Sequence, residues 1–290
     1  MASSNLQLKH LVEYPLDDKV IGIKKLYGGY NSLVYGIKTK RLGDIVLKIP
    51  YNPNKLKKEA SLLRELSKHN IPVPKVLYLG NNYLIEERLQ GIRGSEYKFV
   101  KAQKNAFYFE LGKILKRIHA IKTSGFGEFI SKNVGEYSCW KEYLDKLFYH
   151  NVEIIKARRL YDTDLLRHSI SFYEDKLHRL TYKSPAVVHT DITLNNIIVT
   201  YGGKISGIAD FENAISGDPY FEFGVINREL YHTAYTQYLF LGYDSKFDYD
   251  KVQFYSFFNA FNHPLFYSNS SLLKQSLRRI KEDVNFFATG

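Results

Sequence analysis

Cysteine is almost missing from this chain: among 290 residues only Cys139 carries a thiol. A lone thiol excludes an internal disulfide framework and any multi-cysteine zinc site. Long apolar runs are missing too. None approaches the ~18 to 20 residues that span a bilayer, so no membrane partner is expected. The start, Met1-Ala2-Ser3-Ser4-Asn5, lacks the basic stretch and apolar segment of a secretory signal. The cytoplasm is therefore the expected compartment. Internal repeats and low-complexity tracts are absent. Acidic residues are the scarcer charge, 30 against 41 Lys and Arg, which leaves a net charge of +11. Clustered cations release counterions on a phosphate backbone, so this excess raises the question of a nucleic-acid partner. The clusters are Lys55, Lys57 and Lys58; Lys156, Arg158 and Arg159; and Lys274, Arg278, Arg279 and Lys281. Each falls on a predicted helix among apolar residues at helical spacing, which reads as a solvated face. No groove-reading motif accompanies them, and no nucleic acid is expected. The 44% hydrophobic content suffices for one large or two modest cores.

What is present is a motif with chemistry in it. His189-Thr190-Asp191 is followed by Asn196, five residues after the Asp, and then by Asp210-Phe211-Glu212. In-line phosphoryl transfer asks a protein to aim an attacking oxygen and to neutralise charge spreading over phosphate oxygens. Asp191 suits the first task, taking or orienting the proton of a hydroxyl. The amide oxygen of Asn196 and the carboxylate of Asp210 suit Mg²⁺, which takes oxygen ligands in octahedral order. Residues 197–200 and 204–209 are short apolar runs around Tyr201-Gly202-Gly203, a predicted hairpin that returns Asn196 and Asp210 to one end. Alone, His-x-Asp-x4-Asn arises by accident often enough that the Asp could be a turn former and His189 a structural residue.

The upstream sequence supplies complementary parts. Residues 20–27 and 33–38 are predicted strands joined by Gly28-Gly29-Tyr30-Asn31-Ser32, either a plain turn or a loop whose backbone lies over phosphates. The strand 44–50 carries Lys48, an edge charge or the amine that holds α- and β-phosphates. Leu56, Ala60, Leu63 and Leu66 predict a helix over 54–69 with Asn54 as its cap. Of its acids, Glu59 is favoured over Glu65 as the partner of Lys48, being one turn in. After Pro72 and Pro74, strands are predicted over 76–79 and 83–86, and 84–91 then forms a hinge against which a purine would lie.

With these motifs in place the chain resembles the aminoglycoside phosphotransferase and choline kinase family, the small-molecule branch of the protein-kinase-like fold. Similarity runs from Gly28 to about Gly224. The resemblance implies an α+β, two-lobed architecture: a small antiparallel-sheet lobe with one main helix and a larger, mostly helical lobe. Short alternating runs give way to helical patterns at 101–122, 138–160 and 163–181. The expected domains are thus a nucleotide-binding lobe over 1–89 and a catalytic, substrate-binding lobe over 90–290. By motif, the resemblance places Gly28, Gly29, Asn31 and Ser32 near the nucleotide phosphates and makes Lys48 with Glu59 the phosphate-positioning pair. The backbone of Glu87, Arg88 and Leu89 becomes the nucleotide hinge. Asp191 becomes the catalytic base, and Asn196 and Asp210 the Mg²⁺ ligands, with ATP or GTP as donor. The stretch from Leu111 to His119, followed by Gly125-Phe126-Gly127, is similar to the family's first large-lobe helix and the loop after it, with His119 structural.

Three residues depart from the family pattern. Thr190 stands where many relatives have Gly and protein kinases usually have Arg. Glu222 follows Gly217-Asp218-Pro219 where an Asp is usual, and Glu86 replaces a commonly apolar residue at the back of the nucleotide pocket. The aromatics Tyr231, Tyr235, Tyr238, Phe254, Tyr255, Phe257, Phe258, Phe261 and Phe266 are expected to be mostly helix core. Polycationic aminoglycosides call for a carboxylate-rich pocket, and beyond Glu222 only Glu229, Asp244, Asp248, Asp250, Glu282 and Asp283 are available. The expected activity is Mg²⁺-dependent phosphorylation of a hydroxyl on a small molecule: an aminoglycoside, sugar or amino alcohol. A nucleotide-binding pseudokinase that regulates a partner and a protein kinase are the alternatives. Intact Lys48, Asp191, Asn196 and Asp210 weigh against the first, and Thr190 against the second.

Overall fold

The computed structural model describes residues 5–26, 31–230, 233–244, 248–266 and 270–288. The chain divides into two compact units, residues 1–107 with 194–213 and residues 108–193 with 214–290.

The first unit is built on a five-stranded antiparallel sheet. Its strands are β1 (Val20–Lys25), β2 (Ser32–Thr39), β3 (Asp44–Pro50), β4 (Val76–Leu79) and β5 (Leu84–Glu87), in the order β1-β2-β3-β5-β4. Residues directly opposite in an antiparallel pair share a face. Lys48 pairs with Val34 and Leu84, and Val46 with Gly36 and Glu86, so these six line one side of the sheet. Tyr35, Ile37, Ile45, Leu47 and Ile85 line the other, and they pack with Leu8 and Val12. Those two belong to helix α1 (Asn5–Leu16), which was not expected. The small lobe was predicted to hold one helix; it has α1 as well as α2 (Asn54–Lys68). Only Leu8 and Val12 are buried on α1, and an apolar stripe that narrow leaves almost no periodic signal.

On α2 the buried positions are Leu56, Glu59, Ala60, Leu62, Leu63 and Leu66. Helical spacing thus carries Glu59 inward with the leucines, whereas Glu65 turns out to Lys68 and His69. The expected cap is corrected: Asn54 does not cap α2. Pro53 occupies the N-cap without a side-chain bond, and Asn52 Oδ1 accepts the Asn54 N–H at 3.1 Å, one turn residue earlier.

The hairpin expected around Tyr201-Gly202-Gly203 is formed. Strands β10 (Ile197–Val199) and β11 (Ile205–Ile208) pair antiparallel, and β6 (Ile92–Arg93) adds to β10. The hairpin belongs to the first compact unit, although the sequence placed it in the second lobe. The Ile208 N–H donates to Pro72 O at 2.9 Å, and the Leu89 side chain covers Gly207. Gly91, with φ near 122°, lies so close to Val199 that a Cβ would stand 2.0 Å from its carbonyl oxygen.

The second unit contains most of α3 (Lys101–His119), then β7 (Phe126–Ser131), β8 (Val134–Tyr137), α4 (Trp140–Arg158), α5 (Thr163–Arg179) and β9 (Ala186–Val188). After the hairpin it resumes with β12 (Ile215–Gly217), α6 (Tyr220–Leu230), α7 (Tyr235–Tyr243), α8 (Tyr249–Phe266) and α9 (Ser270–Ala288). Its four-stranded sheet, ordered β8-β7-β12-β9, was not anticipated. Two of those strands are three residues long and wholly buried, so they show no alternation of polar and apolar positions. The core is aromatic. Phe148 stacks on Tyr173 with ring centroids 3.7 Å apart, and Phe254, Phe257, Phe258 and Phe261 are 1% exposed or less. Packing therefore accounts for Phe254, Tyr255, Phe257, Phe258 and Phe261 as expected; Tyr235 and Tyr238 are half-buried, and Tyr231 and the side chain of Phe266 lie outside the described residues. Trp140 Nε1 donates to Tyr255 Oη, whose hydroxyl donates to Asp218 Oδ2, so the buried polar atoms of that core are joined in sequence.

Helices α3 and α7 meet backbone to backbone through Gly112 and Gly242. A Cβ on Gly112 would lie 2.1 Å from Leu239 O. Gly112→Ala is expected to lower the urea midpoint by the equivalent of about 2 kcal/mol, although alanine is the better helix former. Equal or greater stability in a urea titration would show that the helices can separate without penalty.

Candidate active site

On the Lys48 face of the sheet, one ammonium gathers three carboxylates. Lys48 Nζ lies 3.0 Å from both oxygens of Glu59, 2.7 Å from Asp210 Oδ1 and 3.0 Å from Glu212 Oε2. Glu59 comes from α2, Asp210 from the residue pair after β11, and Glu212 from the 3-10 turn Phe211–Asn213. The side chains of Lys48, Glu59 and Glu212 are almost fully buried, while that of Asp210 is 36% exposed. Burial by itself would lower the proton affinity of Lys48. The charges of Glu59, Asp210 and Glu212 outweigh it and hold the ammonium well above the ordinary lysine range. It remains a cation wherever the protein is folded near neutrality.

The hairpin sets the other half of this arrangement. Ile197 pairs with Ile208, and the Ala209 N–H donates to Asn196 O at 2.9 Å, so Asn196 and Asp210 flank the same end of the two strands. Asp210 sits at φ 68°, in the left-handed region, which turns its carboxylate off the strand direction. Non-glycine residues held there cost roughly 1–3 kcal/mol and gather at functional sites. Asn31 donates from Nδ2 to Glu212 Oε1 at 2.9 Å, tying the end of the glycine loop to the same carboxylate. Ser32 is buried at the start of β2, opposite Pro50. Gly28 and Gly29 lie outside the described residues. Glu87 ends β5 with its N–H on Lys75 O and its side chain exposed; Arg88 and Leu89 follow.

Asp191 belongs to the other compact unit, where its loop is held from below. Glu222, buried at the start of α6, accepts the His189 N–H at 2.6 Å and the Thr190 N–H at 3.2 Å. The Asp191 N–H donates to His189 Nδ1 at 3.2 Å, so His189 shapes the turn. Buried His119 places Nε2 4.0 Å from Glu222 Oε2 and Nδ1 2.9 Å from Tyr243 Oη.

The structure thus holds a buried lysine between a helix glutamate and a post-hairpin aspartate, and elsewhere in the chain a His-x-Asp loop braced by Glu222. Comparison with known proteins agrees: residues 22–255 match the phosphotransferase enzyme family. The chain belongs to that family. A curated relative, hygromycin-B 4-O-kinase from Escherichia coli, is 24% identical over 220 residues, covering 71% of this chain and 61% of the relative. The chain thus matches about three-fifths of that relative's length. Among solved structures, a thermostable mutant of aminoglycoside phosphotransferase APH(4)-Ia bound to AMP-PNP and hygromycin B is similar with a TM-score of 0.79. Its identity is 17%, and the match covers 96% of this chain and 97% of that one. The streptomycin-ATP-APH(2")-IIa ternary complex is similar with a TM-score of 0.69 and 16% identity, covering 97% of each chain. The mixed helix and antiparallel sheet architecture is accordingly the aminoglycoside phosphotransferase fold.

The three departures from the family pattern acquire physical content. Thr190 has φ 71°, a conformation that glycine adopts freely and a β-branched residue resists. The two bonds from Glu222 to successive amides are what hold it there. The longer side chain of Glu222 therefore still reaches the loop amides. Glu86 is buried on the Lys48 face, and burial, then the charges of Glu59 and Asp210 against that of Lys48, push its carboxyl up to about 8. Sequence reasoning gave Glu212 no role. Its signal is the Asp-x-Glu spacing, which a 3-10 turn folds onto one side.

Glu222→Ala is expected to cost about 2–5 kcal/mol in chemical denaturation, because two buried N–H groups lose their acceptor. Full stability in that variant would remove Glu222 as the brace. A second expectation concerns pH. Glu86 takes up its proton more readily folded than unfolded, so stability is greatest below its ordinary value near 4.5 and falls as pH rises through about 8. Glu86→Gln should flatten that fall, gaining more melting temperature at pH 8.5 than at pH 5, measured without nucleotide or Mg²⁺. A gain equal at both pH values would mean that Glu86 is charged throughout.

Proposed function

We propose that this chain is a Mg²⁺-dependent O-phosphotransferase, moving the γ-phosphoryl group of ATP or GTP to a hydroxyl of a small molecule such as an aminoglycoside, sugar or amino alcohol. The observation that carries the reading is the Lys48 ammonium held between Glu59 and Asp210. A cation pinned in that way is a fixed donor for phosphate oxygens, needing no reorganisation during the reaction.

In this mechanism Asp191 accepts a hydrogen bond from the acceptor hydroxyl, aims its oxygen at the γ-phosphorus and takes up its proton as the bond to phosphorus forms. Glu222 keeps the loop amides in place, so Asp191 is aimed before substrate arrives. Lys48 binds the α- and β-phosphate oxygens, for which it relinquishes part of its contact with Asp210 and Glu212. Asn196 and Asp210 would hold Mg²⁺: one hard amide oxygen and one carboxylate fit an ion that keeps several water and phosphate ligands. Held there, such an ion would supply positive charge to offset that of the phosphate oxygens. Asn31 and Ser32, with Gly28 and Gly29, lie next to the phosphates in this reading, and the Glu87–Leu89 backbone meets the base.

The relatives support a small-molecule acceptor, since one is a hygromycin-B 4-O-kinase and the solved structures include complexes with hygromycin B and streptomycin. They support a nucleotide donor through AMP-PNP and ATP in the same complexes. No helix among the described residues is long and apolar enough to cross a membrane. The reading places the enzyme in the cytoplasm, where nucleoside triphosphate and Mg²⁺ are plentiful.

Asp191→Ala should lower kcat by at least ~100-fold on an accepted substrate, while the melting temperature stays within a few degrees of the parent. A panel of aminoglycosides, sugars and amino alcohols with labelled ATP and Mg²⁺ identifies that substrate. Turnover unaffected by the substitution would take Asp191 out of the mechanism.

A further inference from the structure

Lys55 sits in helix α2 against the helix's own electrostatics. The first turn of α2 carries this lysine and no acid, so its charge lies at the positive end of the helix dipole, where a cation is disfavoured. Helix stability therefore does not explain the residue. Its partner does: Lys55 Nζ donates to Asn213 Oδ1 at 2.5 Å, a charge-assisted bond between α2 and the 3-10 turn that follows Asp210. The same helix carries Glu59 one turn further on. Two further side-chain holds on the turn come from Lys48, on Asp210 and Glu212, and from Asn31, on Glu212. Both use groups that the proposed mechanism sets beside the nucleotide phosphates, and Lys48 gives up part of its hold when those phosphates bind. Asp210 must at that moment stay at φ 68°, a conformation that a non-glycine residue keeps only where its surroundings impose it. The bond from Lys55 is untouched by that exchange.

Resting on the phosphotransferase reading above, we propose that Lys55 is a positioning residue: through Asn213 it keeps the turn, and with it the Asp210 carboxylate, in the metal-binding form after Lys48 has turned to the nucleotide. A bond from an ammonium to an amide oxygen suits that task, since the reading gives neither group to phosphate or to metal. Lys55 acts through Asn213 and touches no substrate. Its effect falls on the coupling between metal and nucleotide, because a carboxylate already in place costs less to order when the ion arrives with the phosphates.

The test is calorimetric titration of AMP-PNP, with Mg²⁺ and with EDTA, into the parent, Lys55→Ala, Lys55→Arg, Asn213→Ala and the variant carrying both alanines. The ratio of the two affinities is the gain from metal. Lys55→Ala is expected to cut that gain by roughly tenfold and to leave metal-free affinity within about twofold of the parent. Asn213→Ala should lose as much, and the double variant no more than either, because both substitutions remove one bond. Lys55→Arg, which keeps a cationic donor, should stay within about threefold of the parent. Alanine is the better helix former and relieves the dipole, so Lys55→Ala should melt within a few degrees of the parent. A full metal gain in Lys55→Ala would overturn the assignment, as would an equal loss with and without Mg²⁺ or additive losses in the double variant. A parent that binds AMP-PNP under neither condition would overturn the phosphotransferase reading itself, an outcome distinct from these.

Discussion

One cation shared among carboxylates organises the first compact unit. Lys48 is reached by a helix, by the end of a hairpin and by a 3-10 turn, and each delivers its acid to within 3.0 Å of Nζ. Taking a lysine and two glutamates almost wholly out of water is expensive, and their mutual attraction roughly offsets that expense. What the arrangement gains is position. Without the ammonium, Glu59, Asp210 and Glu212 would repel one another, and α2 and the hairpin would lose their common point of reference. With it, the cluster still carries more negative than positive charge, which suits a divalent ion and adds to the burial that raises the proton affinity of nearby Glu86.

The second unit solves a different problem, holding a loop in a shape it would not adopt by itself. Thr190 sits in the left-handed region with a β-branched side chain. The opposing force is the buried Glu222 carboxylate on two consecutive amides, and Glu222 is carried by α6. Just before that helix stands Asp218, whose Oδ1 accepts the Tyr220 N–H and whose Oδ2 accepts the Tyr255 hydroxyl. The dense aromatic packing around Trp140, Tyr255 and Phe221 is thus continuous with the support of the Asp191 loop. Strain at the loop is local, and the core that sustains it is large.

Legibility in the sequence followed the strength of the periodic or turn signal. The α2 stripe, the glycine turn of the hairpin and the strand carrying Lys48 were all readable, because helix and strand spacing dictate which side chains share a face. The same spacing separates Glu59 from Glu65, six residues and more than one full turn apart. Helix α1 escaped because two buried residues make no pattern. The β8-β7-β12-β9 sheet escaped because two of its strands, three buried residues each, look like any apolar fragment. Asn54 was read as a cap from its residue type, yet Pro53 preceding it left Asn52 as the side chain able to reach the first free amide.

Local order and residue chemistry together determined which groups were available: an amine on a strand, acids at helical and turn spacing, and an Asp and an Asn at opposite ends of a short connection. Those follow from bonded geometry and side-chain periodicity, which act over a few residues. Only tertiary structure decided that Glu212 would share Lys48, that the longer Glu222 would reach two amides, and that Glu86 would be buried on the Lys48 face of the sheet. These outcomes depend on desolvation and on charges brought together from positions as distant in the chain as Lys48 and Glu212, and neither quantity exists until the chain has closed on itself.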